Sequence, residues 1–570
     1  MTLGILLGYV ALLLFVTVFS ARFLKRSSGD YFLASRGIGS FMLLMSIFGT
    51  TMTAFALVGS TGRSFSKGIG VYGLMASWSA IIHSACFFLI GARVWALGKK
   101  HGYVTQLGFF RDRFRSDGLV LCLFPVMVSF VLIYILMGVV GSGRVIEALT
   151  PETFAEADAK TAVVVQELPA KFAIPGSWKD RLSYDAATKT LTLTGSIHPK
   201  RRGELFKMAG GPPTLAWKQT VGQLIQKAPR GAVPYAVGMG FICLVVLLYV
   251  FFGGMRATAW ANTLQTIVFI VMGVIAFLVI TSKLGGAAEA TQKLLGSPMA
   301  DRATRGGGQL HKLQFLTYCF IPLSVGMFPH LFQHWLTAKK GSSFKLTVWA
   351  HPLCIAVTWV PCILVGIWAA AELPATTNVN SVLGIMVAKH SNEVLSGLIG
   401  AGILAAIMSS MDSQFLCLGS LFTNDIVVRY GKRFGLGDVS DRSKVMIGRA
   451  FVLVMVLVAF LIGLAEPGGV FPMGVWCFTG FASLFPIVFA AIYWRRANKQ
   501  GAIAAVITVA ALWLYFLKDA LKGEFLIGGM MPVTIVIGAS TLALVVVTLV
   551  TPPPPRDLVD KFFPKRVDQT

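Results

Sequence analysis

Long apolar runs recur along the whole chain, and this pattern limits the fold more than any motif does. Thirteen of them approach the ~20 residues a helix needs to cross a bilayer. They lie at roughly 3–22, 39–62, 70–97, 118–148, 233–253, 256–282, 313–337, 346–371, 394–423, 446–465, 469–494, 501–520 and 529–550. Inside hydrocarbon each backbone N–H and C=O must be satisfied within its own segment, so a lone run of this length must be helical. The expected fold is all-α and polytopic, with about 13 transmembrane helices. Composition agrees, since 55% hydrophobic and 13% charged residues in a chain of 570 are outside the usual range of a soluble domain. The formal net charge of +25 does not indicate nucleic-acid binding, because no basic domain stands apart from the apolar runs.

All eight cysteines lie in apolar segments, so no disulfide framework is expected, and no zinc-type spacing occurs. The first run is followed, not preceded, by Arg22, Lys25 and Arg26. That is the reverse of a signal peptide, so a retained first helix is expected, with its C-terminal end in the cytoplasm. Further Lys and Arg alternate with the spans on one side, as in Lys99, Lys100, Arg111, Lys339, Lys340, Arg429, Lys432, Arg433, Arg495, Lys565 and Arg566. The register puts the N-terminus outside and the C-terminus in the cytoplasm of a cell membrane. The opposite side is not clean, because it holds Arg63, Lys67, Lys283, Arg302 and Arg305.

The expected division is spans one to four over 1–149, a polar insert over 150–232, spans five to thirteen over 233–550, and a solvated cytoplasmic tail over 551–570. The insert falls on the outer side. Leu182, Tyr184, Leu191 and Leu193 alternate around Ala186–Lys189, which reads as a β-hairpin. Trp178 and the run 213–226 add a turn and a helix.

Span nine carries Ser409, Ser410, Asp412 and Ser413 near its middle. Hydroxyls and a carboxylate are expensive in hydrocarbon and by default face a polar cavity or an ion. Helical spacing stacks Ala406, Ser410 and Ser413, with Ser409 beside Ser413. Hard oxygen ligands of this kind suit Na⁺ better than a soft metal. Back-bonding to the helix's own carbonyls explains one serine, but not an aspartate among small residues.

Span two contains Ser46–Thr53 (SIFGTTMT), and span seven contains Phe320–His330 (FIPLSVGMFPH). Taken alone, the first reads equally as close packing through small residues or as a broken helix whose freed carbonyls coordinate an ion. Two interrupted spans, one opening each half of the chain, point to an inverted-repeat transporter with spans two to six as one repeat and seven to eleven as the other. His330 and His334 flank the second interruption. They read as satisfied polar residues near a cytoplasmic helix end, with a proton relay as the alternative.

At this point the chain resembles the sodium/solute symporter family, with its LeuT-like five-plus-five fold. The likeness is carried by Gly29–Arg36 (GDYFLASR), Gly253–Gln265 (GGMRATAWANTLQ), Phe328–Lys339 (FPHLFQHWLTAK), Ala405–Gln414 (AAIMSSMDSQ) and Phe485–Arg496 (FPIVFAAIYWRR). It covers nearly all of 1–520 apart from the insert. The resemblance implies Na⁺-driven import of a small organic solute by alternating access. It places Na⁺ between spans two and nine, on the carbonyls of Gly49, Met52 and Ala406 and the hydroxyls of Ser409 and Ser410. It places the solute near Thr51, Trp78, Ser324 and Phe328.

One departure stands out. Some relatives carry an aspartate on span six that faces hydroxyls on span nine at a second Na⁺ site. Here that position is Asn262, and the carboxylate is Asp412, where that group usually has a serine. The expectation is a swap, with Asp412, Ser413 and Asn262 forming the second cation site. The alternatives are a pair with Arg256 or a place in water at the cytoplasmic mouth. No phosphate loop, nucleophile elbow or HExxH pattern occurs, so no enzyme is expected. Two other readings share the scaffold. One is a proton-coupled or Na⁺-independent carrier. The other is a non-transporting solute sensor, for which the ~20-residue tail is short.

Overall fold

A computed structural model describes residues 1–21, 28–151, 153, 160–195, 197, 202–227, 231–304, 310–431 and 439–563. Of the basic residues that set the expected orientation, Arg22, Lys25, Arg26, Arg305, Lys432, Arg433, Lys565 and Arg566 lie outside these. The described residues are mostly helical. Nine helices among them are long and apolar enough to cross a membrane, and eleven if each of two bent pairs counts as one span. The other two expected spans are the shorter apolar helices Tyr235–Phe251 and Lys499–Tyr515, at the lower end of the ~17–25 residues a crossing takes. The expected thirteen is therefore not reached by length and composition alone.

The bent pairs are the two interrupted spans. Ser40–Thr51 and Phe55–Lys67 meet at 57°, and Lys312–Gly326 and Pro329–Thr337 meet at 51°. In span seven, Phe328 is extended and Pro329 starts the second half, where its missing N–H costs nothing and its fixed φ suits a helix start. Spans five and six follow one another without an intervening loop. Tyr235–Lys283 runs on through one kink at Gly254, with φ 56° and ψ −169°. That backbone region is essentially open to glycine alone, and an added Cβ would sit 2.6 Å from Tyr31 Cδ2. Span nine, Glu393–Tyr430, is the central element. Every residue from Ile399 to Leu421 is buried, against spans four, five, six and ten and the first helix Thr2–Ala21.

The insert folds around its own apolar core, which includes Trp178, Leu191, Leu193, Trp217 and Val221. Three antiparallel strands, β1 (Lys160–Val164), β2 (Leu182–Asp185) and β3 (Thr190–Thr194), lie in the order β1-β3-β2. The expected hairpin is β2–β3, with Leu182 opposite Leu193 and Tyr184 opposite Leu191. Its turn is held by Asp185, which accepts from Ala187 N–H at 2.9 Å and from the Thr188 hydroxyl at 2.8 Å. β1 was not expected. The insert leaves and rejoins the membrane core at one place, where Val233 N–H donates to Thr150 Oγ1 at 3.0 Å.

The tail corrects a second expectation. Beyond Pro552–Pro555, residues Arg556–Phe562 form a helix rather than a solvated end. Leu558 and Phe562 are buried. Lys561 Nζ pairs with Asp112 at 2.7 Å, and Arg115 pairs with Asp557 at 2.5 Å, which docks the helix on Gln106–Phe114.

Candidate ion and solute site

The first half of span two ends at Met52, whose backbone is extended at φ −88°, ψ 95°. The Thr53 hydroxyl accepts Phe55 N–H at 3.0 Å and begins the second half. A helix end leaves its last carbonyls without intrahelical partners. Met52 N–H still closes onto Phe48 O at 2.9 Å. Gly49 O instead accepts from Ser409 Oγ at 2.8 Å, and the same hydroxyl lies 2.9 Å from Ala406 O. Three hard oxygens from two spans thus converge around a single hydroxyl proton, fully buried. An oxygen-rich, proton-poor spot of this kind fits an alkali cation. Gly49 also faces span six closely, since a Cβ there would lie 2.3 Å from Thr266 Oγ1. Ser410 stands slightly apart, with its hydroxyl donating to Ile407 O at 2.9 Å within its own helix.

One turn away lies a second polar cluster. Asn262 Nδ2 donates to Thr50 Oγ1 at 3.1 Å and to Ser413 Oγ at 3.0 Å. His334 joins it, with Nε2 3.0 Å from Ser413 Oγ and Nδ1 2.9 Å from Ser46 Oγ. Asp412 Oδ1 accepts from Ser413 Oγ at 3.1 Å. Its Oδ2 has no hydrogen-bond partner among the described residues, and neither do the Tyr9 hydroxyl and the Gln265 amide. Asp412 is fully buried, so it is not in the cytoplasmic mouth. No hydrogen bond joins it to Arg256, which reaches Ala34 O at 3.4 Å. The two histidines also differ from expectation. His334 is central to this cluster, and both ring nitrogens of His330 lack a hydrogen-bond partner among the described residues, with the ring stacked 5.1 Å from Phe328.

Between the broken spans lies a small, tight cavity whose lining includes Thr51, Ser324 and Phe328. Trp78 is not part of the lining; its indole N–H donates to Phe315 O at 3.1 Å. Sequence reading missed Ser79, His83, Tyr134 and Trp359, which do line it. It also missed His351, whose Nε2 lies 3.3 Å from Thr51 Oγ1. The available signal was an ionisable residue in the middle of an apolar span, at His83 and at His351.

Two broken spans packed against a buried, hydroxyl-bearing ninth span make up the architecture of a secondary membrane transporter. The model of the sodium:solute symporter family matches residues 31–164 and 220–508, and the chain belongs to that family. It is a family of symporters, not enzymes, and the chain is a multi-span protein of the plasma membrane. The chain is 26% identical over 328 residues to the osmoregulated proline transporter OpuE of Bacillus subtilis (strain 168), covering 56% of this chain and 64% of the relative. It is 21% identical over 524 residues to the sodium/pantothenate symporter of Escherichia coli (strain K12), covering 89% of each. The match to OpuE thus spans less than two thirds of that relative. The fold is that of a Na⁺-coupled sialic acid symporter solved in a substrate-bound, outward-open state, with TM-score 0.67, 15% identity and coverage of 97% and 98% of the two chains.

Proposed function

We propose that this chain is a Na⁺-coupled secondary symporter that imports a small organic solute by alternating access. The observation that carries this reading is the meeting of Gly49 O, Ser409 Oγ and Ala406 O across the break in span two. The Met52 carbonyl and the Ser410 hydroxyl, turned off Ile407 O, complete the main Na⁺ site. Neutral oxygens hold an ion firmly enough to bind it and loosely enough to release it. Na⁺ there ties the first repeat to the second at the edge of the solute cavity, so ion and solute share a coupling free energy that is reciprocal. The names of the relatives, two of them sodium or Na⁺-coupled symporters, support the choice of ion.

Asp412, Ser413 and Asn262 form the second cation site on this reading, because a buried carboxylate with a bare oxygen is costly unless neutralised. Thr51, Ser324 and Phe328 contact the solute, and Trp78 braces the start of span seven. The N-terminus and the insert 150–232 face outside. The tail 551–570 faces the cytoplasm, and the bilayer encloses spans one to four (1–149) and five to thirteen (233–550).

The test is uptake by the full chain in proteoliposomes, screened against a solute library under an inward Na⁺ gradient or an inward proton gradient. Accumulation driven by Na⁺ alone is expected. Uptake driven by protons without Na⁺ would make the protein a proton-coupled carrier, and binding without accumulation would make it a sensor. Either result overturns the reading.

A further inference from the structure

The lining of the solute cavity has a definite electrostatic character. Its polar side chains include Thr51, Ser79, His83 and Ser324, and its walls are mainly aromatic, among them Phe55, Phe328 and Trp359. No Asp, Glu, Lys or Arg is among the described residues that line it. The fixed partial charges around it include one positive helix end, beside the carbonyl ends of Ser40–Thr51 and Tyr318–Gly326. The half-helix Pro329–Thr337 begins beside the lining residue Phe328 and has no side-chain cap, so its first N–H groups are left to a ligand. A second, independent feature is His83. It is only 7% exposed, it lines the cavity, and its Nδ1 has no hydrogen-bond partner among the described residues. Ser79 stands one turn before it on the same helical face. A buried polar atom without a partner is costly, and a solute that reaches this wall removes the cost.

We propose that the solute is a small monocarboxylate with an apolar body. The carboxylate accepts from the His83 imidazole and the Ser79 hydroxyl and faces the uncapped start of Pro329–Thr337. The body packs among the rings of Phe55, Phe328 and Trp359. A carboxylate only accepts hydrogen bonds, which matches the His83 and Ser79 donors and the start of Pro329–Thr337, whereas an ammonium group meets no anionic side chain there. This inference rests on the symport reading, because Na⁺ on Gly49 lies two residues from Thr51 and lowers the cost of burying the anion.

The test is thermal stabilisation of the purified full chain, in NaCl and in KCl, by four probes that share one ring: phenylacetate, phenylacetamide, phenethylamine and phenylalanine. Phenylacetate in Na⁺ is expected to bind about tenfold more tightly than the other three. His83→Phe is expected to abolish that preference, while His83→Gln, which keeps an N–H donor, retains part of it. Stabilisation by Na⁺ alone shows that each variant is folded. Equal or tighter binding of the amide, amine or amino acid overturns the proposal. So does binding of none of the four, or an unchanged preference in folded His83→Phe. A carboxylate preference that is the same in K⁺ supports the solute class and counts against Na⁺ symport. Stabilisation by Na⁺ without any acid preference leaves symport standing and removes the solute class.

Discussion

Ser409 Oγ lies 2.8 Å from Gly49 O, which joins the ninth span to the carbonyl released by the break in the second. Ser409→Ala removes that link and one oxygen of the proposed ion site. The Na⁺ concentration for half-maximal uptake should rise about tenfold or more, equivalent to at least ~1.4 kcal/mol. The loss of stability should be only ~1 kcal/mol, the usual net worth of one hydrogen bond. Uptake measured against Na⁺ concentration checks the first figure, and a melting curve checks the second.

Asp412→Asn keeps the shape of the side chain and removes its charge. If Asp412 neutralises a second cation, the Na⁺ dependence of uptake should lose its cooperativity and shift to higher Na⁺ by about tenfold. Melting without Na⁺ should change little or rise, because the bare buried Oδ2 carboxylate is an expense the amide avoids in part. Na⁺ activation identical to that of the parent protein would remove Asp412 from the site.

Gly49→Ala tests the close approach of spans two and six. The new methyl would stand 2.3 Å from Thr266 Oγ1, and overpacking of this kind costs ~1–3 kcal/mol. The melting temperature should fall, and Thr266→Ala added to Gly49→Ala should restore part of it. The rescue is incomplete because Thr266 Oγ1 also donates to Met45 O at 2.9 Å. Additive destabilisation in the double variant would show that the two positions do not touch.

The docked tail has a definite pH response. Partial burial pushes the Asp112 carboxyl up, but hydrogen bonds from Lys561 and Tyr103 more than offset this and hold it below the ordinary carboxylate range. A carboxyl lowered by folding stabilises the folded state above its unfolded pKa, about 3.9, and loses that contribution as pH falls through the lower folded value. Protection of amides 556–562 from hydrogen exchange should therefore be flat from neutral pH to about 5 and fall only below about 4. Lys561→Ala should weaken that protection modestly at neutral pH, because the pair is partly exposed and such pairs contribute up to ~1 kcal/mol.

Features encoded locally could be read from the chain. Apolar runs gave the spans. The break in span two falls at Met52–Thr53, within the glycine- and hydroxyl-rich stretch, and that in span seven falls beside Pro329, because each interruption is written in adjacent residues. The β2–β3 hairpin followed from strict alternation around one turn. What stayed hidden depends on residues far apart in sequence. Ser46 meets His334, and Thr51 meets His351, only after the two repeats interlock. His83 gains meaning only beside Phe55 and Phe328. Two misses had weak signals. Leu558 and Phe562 are spaced one helical turn apart in the tail, and the β-branched run at 161–165 marks β1.

Because Val233 N–H meets Thr150 Oγ1, the polypeptide leaves the membrane core for the insert and returns through a single doorway. The sheet and its tryptophans hang from that doorway like a pendant with a self-sufficient interior. A short glycine bridge across the gap would spare the membrane helices any rerouting. The same spot would accept an affinity handle or a fluorescent module without disturbing the membrane helices.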